Sequence, residues 1–371
     1  MTQLAQQYNA INLSQGFPDF DGPEWIKSLA INAINEGKNQ YAAGNGLYEL
    51  RKILSEVYQA YYKLKFDCNS EITITNGATE GIFSTILALI NPGDEVIIFE
   101  PFYDSYLAAI TIARGKAIPV KISLDDNQFK INFDELKNSF SDKTKLIIIN
   151  NPHNPSGKVF TKEELNIIAD LAIENNCFVL SDEVYEFLTF DNQIHIPIAS
   201  LNKMKDRTIT ISSAGKTFGF TGWKVGWCVA NEEISHAILM VHQFNTFSVC
   251  QPVQWAVAKA LERLDKYIPK YIESYNEKKD LFTDGLASVN IPFLMPQGTY
   301  FLLAKMIPAN ENNDLLFFEN LIKNYSLATV PLSPFYIDPD HQNRHIRLCF
   351  AKNNDTLNNA IHYLKNISKD Y

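Results

Sequence analysis

Between residues 70 and 230 the chain alternates short apolar runs with longer segments that are apolar along one side only. The runs fall at 71–75, 95–99, 118–122, 146–150, 178–181, 208–212 and 226–230, and most are rich in Ile and Val. Strands buried on both faces read this way, because each face must meet a hydrophobic layer. The segments between them, 78–89 and 162–175 included, repeat apolar residues at helical spacing. The second opens on TKEE at 161–164, a threonine with a glutamate three residues on, which predicts a capping box. Strand and helix in alternation predict an α/β fold whose large domain carries a mostly parallel seven-stranded sheet. Beyond about residue 265 the pattern changes. A charged helix over 267–287, an extended GTYFLLA at 298–304, a helix over 314–323 and a strand-like 344–351 predict a smaller α+β domain. The expected division is a large domain over 27–265 and a small domain made from 1–26 and 266–371.

Composition narrows the classes of function. The chain has 371 residues, 46% hydrophobic and 20% charged, which suits a soluble globular protein large enough for two domains. A net charge of -9 without a Lys/Arg run argues against nucleic acid or an anionic membrane as partner. Five scattered cysteines without a CxxC pair argue against a disulfide framework or a zinc site, and for a reducing compartment. Seven histidines include no HExxH, so no metal is expected. No apolar stretch reaches membrane-spanning length, and the opening MTQLAQQ lacks the character of a signal peptide. The expected location is the cytoplasm.

The chemistry concentrates in SAGKTFGFTGWKVG at 213–226. Lys216 follows an apolar strand, Ser213 lies three residues before it and Lys224 eight after. An amine so placed can form a Schiff base once burial and a neighbouring cation lower its pKa. Ser213 and Lys224 suit an anion, most simply a phosphate. One compound needs both: pyridoxal 5′-phosphate. Its ring nitrogen stays protonated beside a buried carboxylate, and Asp182 ends an apolar strand where ligands gather in open parallel sheets. The plainer reading of Asp182 is a turn cap. Tyr185 and Asn154 are candidate donors to the cofactor's phenolic oxygen. Asn154 sits in NNPHNPSG at 150–157, whose prolines, asparagines and glycine fix an irregular loop, or simply a well-made turn. TNGATE at 75–80 joins a strand to a helix, so the Gly77, Ala78 and Thr79 amides would face an anion at a helix N-terminus. Walker A is absent, and Gly44 and Gly46 lack the third glycine of a dinucleotide fingerprint. Arg347, between hydrophobes in HIRLCF at 345–350, suits a substrate carboxylate or an internal carboxylate partner.

These segments stand in order with NLSQGFPDF at 12–20, NQY at 39–41, NPHNP at 151–155, SDEVY at 181–185 and IRLCFAK at 346–352. Together they resemble the class I/II aminotransferases of fold type I over essentially the whole chain, with the methionine and kynurenine aminotransferase (glutamine transaminase K) branch nearest. The resemblance implies that Lys216 binds the cofactor and shuttles the proton, Asp182 meets the pyridinium, and Tyr185 with Asn154 binds O3′. It implies that Ser213, Lys224 and the amides of Ala78 and Thr79 hold the phosphate, and that Tyr103 in EPFYDS stacks on the ring. Arg347, Asn154 and the Gly16 amide would hold the substrate carboxylate. Tyr41 would reach the phosphate of a partner subunit, which makes a homodimer with shared sites. Lys224 stands where many members carry arginine, and the stretch before Asn12 is short. The function so implied is transfer of the amino group of methionine or an aromatic or neutral amino acid to a 2-oxo acid by a ping-pong mechanism. Rival readings are a cysteine-S-conjugate β-lyase on the same scaffold and a non-catalytic cofactor-binding regulator. Phe17, Phe20, Trp25, Phe247, Phe335 and Tyr336 give the expected substrate loops an aromatic character.

Overall fold

The computed structural model describes residues 2–308, 311, 313–339 and 344–370. Among these residues the strands run in chain order β1 (Ile11–Asn12), β2 (Ile72–Asn76), β3 (Glu95–Glu100), β4 (Lys116–Asp125), β5 (Gln128–Ile131), β6 (Thr144–Asn150) and β7 (Phe178–Asp182). They continue as β8 (Thr208–Ser213), β9 (Val225–Val229), β10 (Phe293–Leu294), β11 (Phe301–Lys305), β12 (Leu327–Ala328), β13 (Val330–Pro331) and β14 (His345–Cys349). The large sheet has the order β2-β9-β8-β7-β6-β3-β4-β5. Its centre is parallel, from β4 through β3, β6 and β7 to β8, while β9, β2 and β5 pair antiparallel.

Alternation along the central strands explains the two-sided burial. Val96, Ile98, Leu146 and Ile148 face one hydrophobic layer, which includes Ile82 and Ile86 of the helix Gly77–Leu89. Ile97, Phe99, Ile147 and Ile149 face the other, with Leu165 and Ile168 of the helix Lys162–Glu174. Each strand therefore needs apolar residues at successive positions. The capping box is present: the Thr161 side chain accepts from the Glu164 amide at 3.2 Å, and the Glu164 carboxylate accepts from the Thr161 amide at 2.9 Å.

All seven expected strands form, and the sheet has an eighth. β5 returns antiparallel beside β4 through Asp126 and Asn127, both at positive φ. A two-residue turn of this kind suits Asp and Asn, which tolerate the left-handed region. β5 itself is only four residues long, with Gln128 and Lys130 exposed and Phe129 and Ile131 turned to the core, too short an alternation to stand out in the sequence.

A second sheet, β10-β11-β14-β13, is antiparallel throughout. The helices Leu264–Ser288 and Asn354–Asp370 pack on each other beside it. β1 pairs in parallel with β12, and the Leu13 carbonyl accepts from the Cys349 amide. The residues that follow Asn12 are thereby fixed across the ends of the large-sheet strands. Among the described residues no helix is long and apolar enough to cross a membrane.

Candidate active site

The carboxyl ends of the parallel strands and the second sheet enclose a cavity of about 310 Å³. It is lined by Gly16, Gly77, Ala78, Thr79, Tyr103, Asn154, Asp182, Tyr185, Ser213, Lys216, Lys224 and Arg347. The structure thus brings twelve of the thirteen sequence-predicted site residues together. Tyr41 does not join them: it is 80% exposed, with its ring edge-on to Phe247 at 5.1 Å.

Asp182 closes β7 and lies at the buried floor. Asn150 at the end of β6 donates to the Asp182 carbonyl through its side chain, and its Oδ1 accepts from the Asn154 amide. The irregular loop is therefore tied to the strand that carries the carboxylate. Burial pushes the Asp182 carboxyl up to about 6, and a 2.6 Å hydrogen bond from the Tyr106 hydroxyl pulls in the opposite direction. Of the three acids in this segment, Asp182 alone lines the cavity. Glu183 pairs with Ser181 and His195, and Glu186 with Tyr62 and Ser212.

Lys216 belongs to the one-turn helix Ala214–Thr217, directly after β8. Its Nζ donates to the Gly16 carbonyl at 2.9 Å and to the Tyr300 hydroxyl at 3.0 Å. Burial lowers its pKa to about 8; Cys349 and Asp182 favour the charged form, while Arg347 and Lys224 oppose it. Near neutral pH such an amine divides between a nucleophilic and a protonated form, as covalent and acid–base chemistry require.

One wall is shaped to take an anion. Gly77 opens the helix Gly77–Leu89 at φ 78°, and a Cβ there would lie 3.0 Å from the Lys224 ammonium nitrogen. Gly226 on β9 presses on the same turn, where a Cβ would meet the Gly77 carbonyl carbon at 2.5 Å. Two glycines thus let free helix-terminal amides and a cation face one space, with Ser213 on the same cavity wall.

Arg347 on β14 occupies the opposite wall, buried between the rings of Phe301 and Phe335. Its Nη1 donates to Asn154 Oδ1 at 2.8 Å and its Nη2 to the Ser14 carbonyl at 2.9 Å. Nε is buried with no hydrogen-bond partner among the described residues. Carbonyl and amide acceptors leave the charge of the guanidinium uncompensated, so the site has a standing attraction for a carboxylate.

Sequence reasoning missed Tyr106, Tyr300, Asn150 and Lys352. Tyr106 lies one helical turn beyond Tyr103, and their rings meet edge-on at 5.7 Å. Lys352 is buried, and its Nζ donates to the carbonyls of Gln15 and Phe17 on either side of Gly16. The tyrosine spacing and the family-like IRLCFAK run were the available signals.

Residues 8–364 match the family described as aminotransferase class I and II. The methionine aminotransferase of Escherichia coli K12 is 39% identical over 99% of this chain and 94% of its own length. The kynurenine–oxoglutarate transaminase of Dictyostelium discoideum is 40% identical over 99% of this chain and 92% of its own. The N-succinyldiaminopimelate aminotransferase structure from Mycobacterium tuberculosis superposes with a TM-score of 0.96 at 37% identity, covering 99% of this chain and 96% of that one.

Proposed function

This chain belongs to the class I and II aminotransferases and is a pyridoxal-phosphate-dependent transaminase, and from that premise we propose that its amino donors are methionine and other neutral, bulky amino acids. The observation that carries the proposal is the cavity that gathers Lys216, Asp182 and Arg347 with no arginine besides Arg347 in its lining. A side-chain carboxylate would find no second planar cation there and would be desolvated unpaired.

The residues fit the cofactor along its whole length. Ser213, Lys224 and the amides of Gly77, Ala78 and Thr79 would hold the phosphate, and Tyr103 would lie against the ring. Asp182 would keep the ring nitrogen protonated, with Tyr185 and Asn154 on the phenolic oxygen. When bound, pyridoxal phosphate supplies the electron sink that makes a substrate α-proton removable. The chain's own work is orientation and proton handling. Arg347, Asn154 and the Gly16 amide would grip the α-carboxylate, and the Lys216 Nζ would take up the α-proton and hold it. The unpartnered Arg347 Nε is among the donors left for that carboxylate.

We further infer a homodimer in which Tyr41 serves the partner's site. Tyr41 and Phe244 are 80% and 89% exposed, and the segment with Gly44 packs on Gln243 and Phe247. Large apolar side chains left this bare mark an association surface. All five cysteines are free, which supports a reducing, cytoplasmic setting.

Comparison of kcat/KM for methionine and aspartate with one 2-oxo acid tests the donor class. Methionine should lead by at least about tenfold, which needs only ~1.4 kcal/mol of differential transition-state binding. Parity or preference for aspartate would overturn the pocket assignment.

A further inference from the structure

Lys216 has a partner that the reactions above leave without a task. Tyr300 lies just before β11, is 1% exposed, and places its hydroxyl 3.0 Å from the Lys216 Nζ. The same hydroxyl donates its proton to the Gly16 carbonyl at 2.6 Å. With that proton spent, it offers Nζ only lone pairs and acts as an acceptor. Gly16 O is the second acceptor at 2.9 Å, so Gly16 O, Tyr300 and Nζ form a closed triangle.

The ring of Tyr300 is fixed by its neighbours. Tyr185 meets it edge-on at 5.2 Å, Phe301 edge-on at 4.9 Å, and Tyr275 stacks at 5.9 Å. The hydroxyl therefore keeps its place whether or not Nζ is bonded elsewhere. Hydrogen bonds from a charged donor are roughly twice as strong as neutral ones. Two oxygen acceptors consequently favour the protonated amine and work against burial, which opposes it.

We propose that Tyr300 is the positioning residue of Lys216: with the Gly16 carbonyl, its hydroxyl holds the free ε-amine facing the cavity and stabilises it while it carries the substrate's α-proton. The proposal rests on Lys216 being the cofactor-binding lysine. No net proton is gained or lost, because Nζ gives back within a half-reaction what it takes from the α-carbon. The other groups that face Nζ are Asp182, Cys349, Arg347, Lys224 and Tyr185; of these, Tyr185 also shares a hydrogen bond with the Tyr300 hydroxyl.

The test uses Tyr300→Phe, which keeps the ring and removes the hydroxyl, beside Tyr275→Phe, which trims a packed neighbour. In the full-length chain freed of cofactor, acetic anhydride labelling of Lys216 is followed against pH by mass spectrometry. Tyr300→Phe should move the midpoint down by about one pH unit, the scale of losing one charge-assisted hydrogen bond. In the holoenzyme its kcat with methionine should fall about tenfold, with KM changed less than about twofold. Tyr275→Phe should leave the midpoint in place. An unmoved or raised midpoint in Tyr300→Phe, or an equal shift in Tyr275→Phe, overturns the proposal. Borohydride fixation of the cofactor on a lysine other than Lys216 would instead overturn the parent assignment, so the two failures are told apart.

Discussion

Burial disfavours the charged forms of both Asp182 and Lys216, and this has a measurable consequence. Asp182 is raised from 3.8 to about 6, so the folded chain prefers its neutral acid. The stability linked to that group is fully present below pH ~3.8 and falls away as pH rises through about 6. Lys216 is lowered from 10.5 to about 8, so its linked stability is present above pH ~10.5 and falls away as pH drops through about 8. Between pH 6 and 8 the cofactor-free chain carries both penalties, each on the order of 3 kcal/mol with the attraction between the two groups already included. Asp182→Asn should therefore stabilise the cofactor-free chain by roughly 1–2 kcal/mol at pH 7.5 in denaturant titration, while turnover drops by about 10²-fold or more. A variant with normal turnover would reduce Asp182 to a turn residue. Tyr106→Phe removes the 2.6 Å hydrogen bond to that carboxylate. It should raise the Asp182 pKa, shifting the acid limb of the kcat profile upward by about one unit.

At the level of elements, the anion-binding wall depends on β9 lying against the first turn of the helix Gly77–Leu89. Gly226→Ala would put a methyl carbon 2.5 Å from the Gly77 carbonyl carbon and 2.7 Å from the Ala78 nitrogen. It should cost about 1–3 kcal/mol in stability and weaken cofactor binding, read by cofactor titration of the purified variant. Affinity equal to wild type would mean that the turn does not hold the phosphate. Strands and the capping box were legible because they are local: apolar runs set the first, and Thr161 with Glu164 the second. The site residues that follow strands, Asp182, Asn154 and Lys216, were legible for the same reason. Tyr106 and Tyr300 were not. A tyrosine inside an apolar run reads as core filler until the fold shows what its hydroxyl meets. Gly226 against Gly77 is likewise invisible in one dimension, because the contact exists only once β9 returns beside β2. β5 escaped notice because it is a four-residue edge strand whose place is set by the turn that precedes it.

At the scale of the whole molecule, the site is a product of two sheets and, on our reading, of two chains. The large sheet contributes Asp182, Ser213 and Lys216, while the second sheet contributes Arg347 and the flanking Tyr300. The segment after Asn12 is pinned between them by Arg347 at Ser14, Lys352 at Gln15 and Phe17, and Asn353 at Asp19. Tyr41 lies outside this assembly, which gives the dimer a functional test. Mixing Tyr41→Phe with Lys216→Ala chains should produce heterodimers with one site free of both changes and activity above either parent. Absence of complementation, or a fully active monomer, would remove Tyr41 from the site. The central claim, a transaminase whose cofactor is bound through Lys216, is met most directly by borohydride reduction of the whole holoprotein followed by peptide mapping. The account predicts a yellow protein that bleaches on reduction, with one cofactor fixed per chain and all of it on Lys216. A protein that cannot be charged with pyridoxal phosphate, or a label on any other lysine, would contradict it.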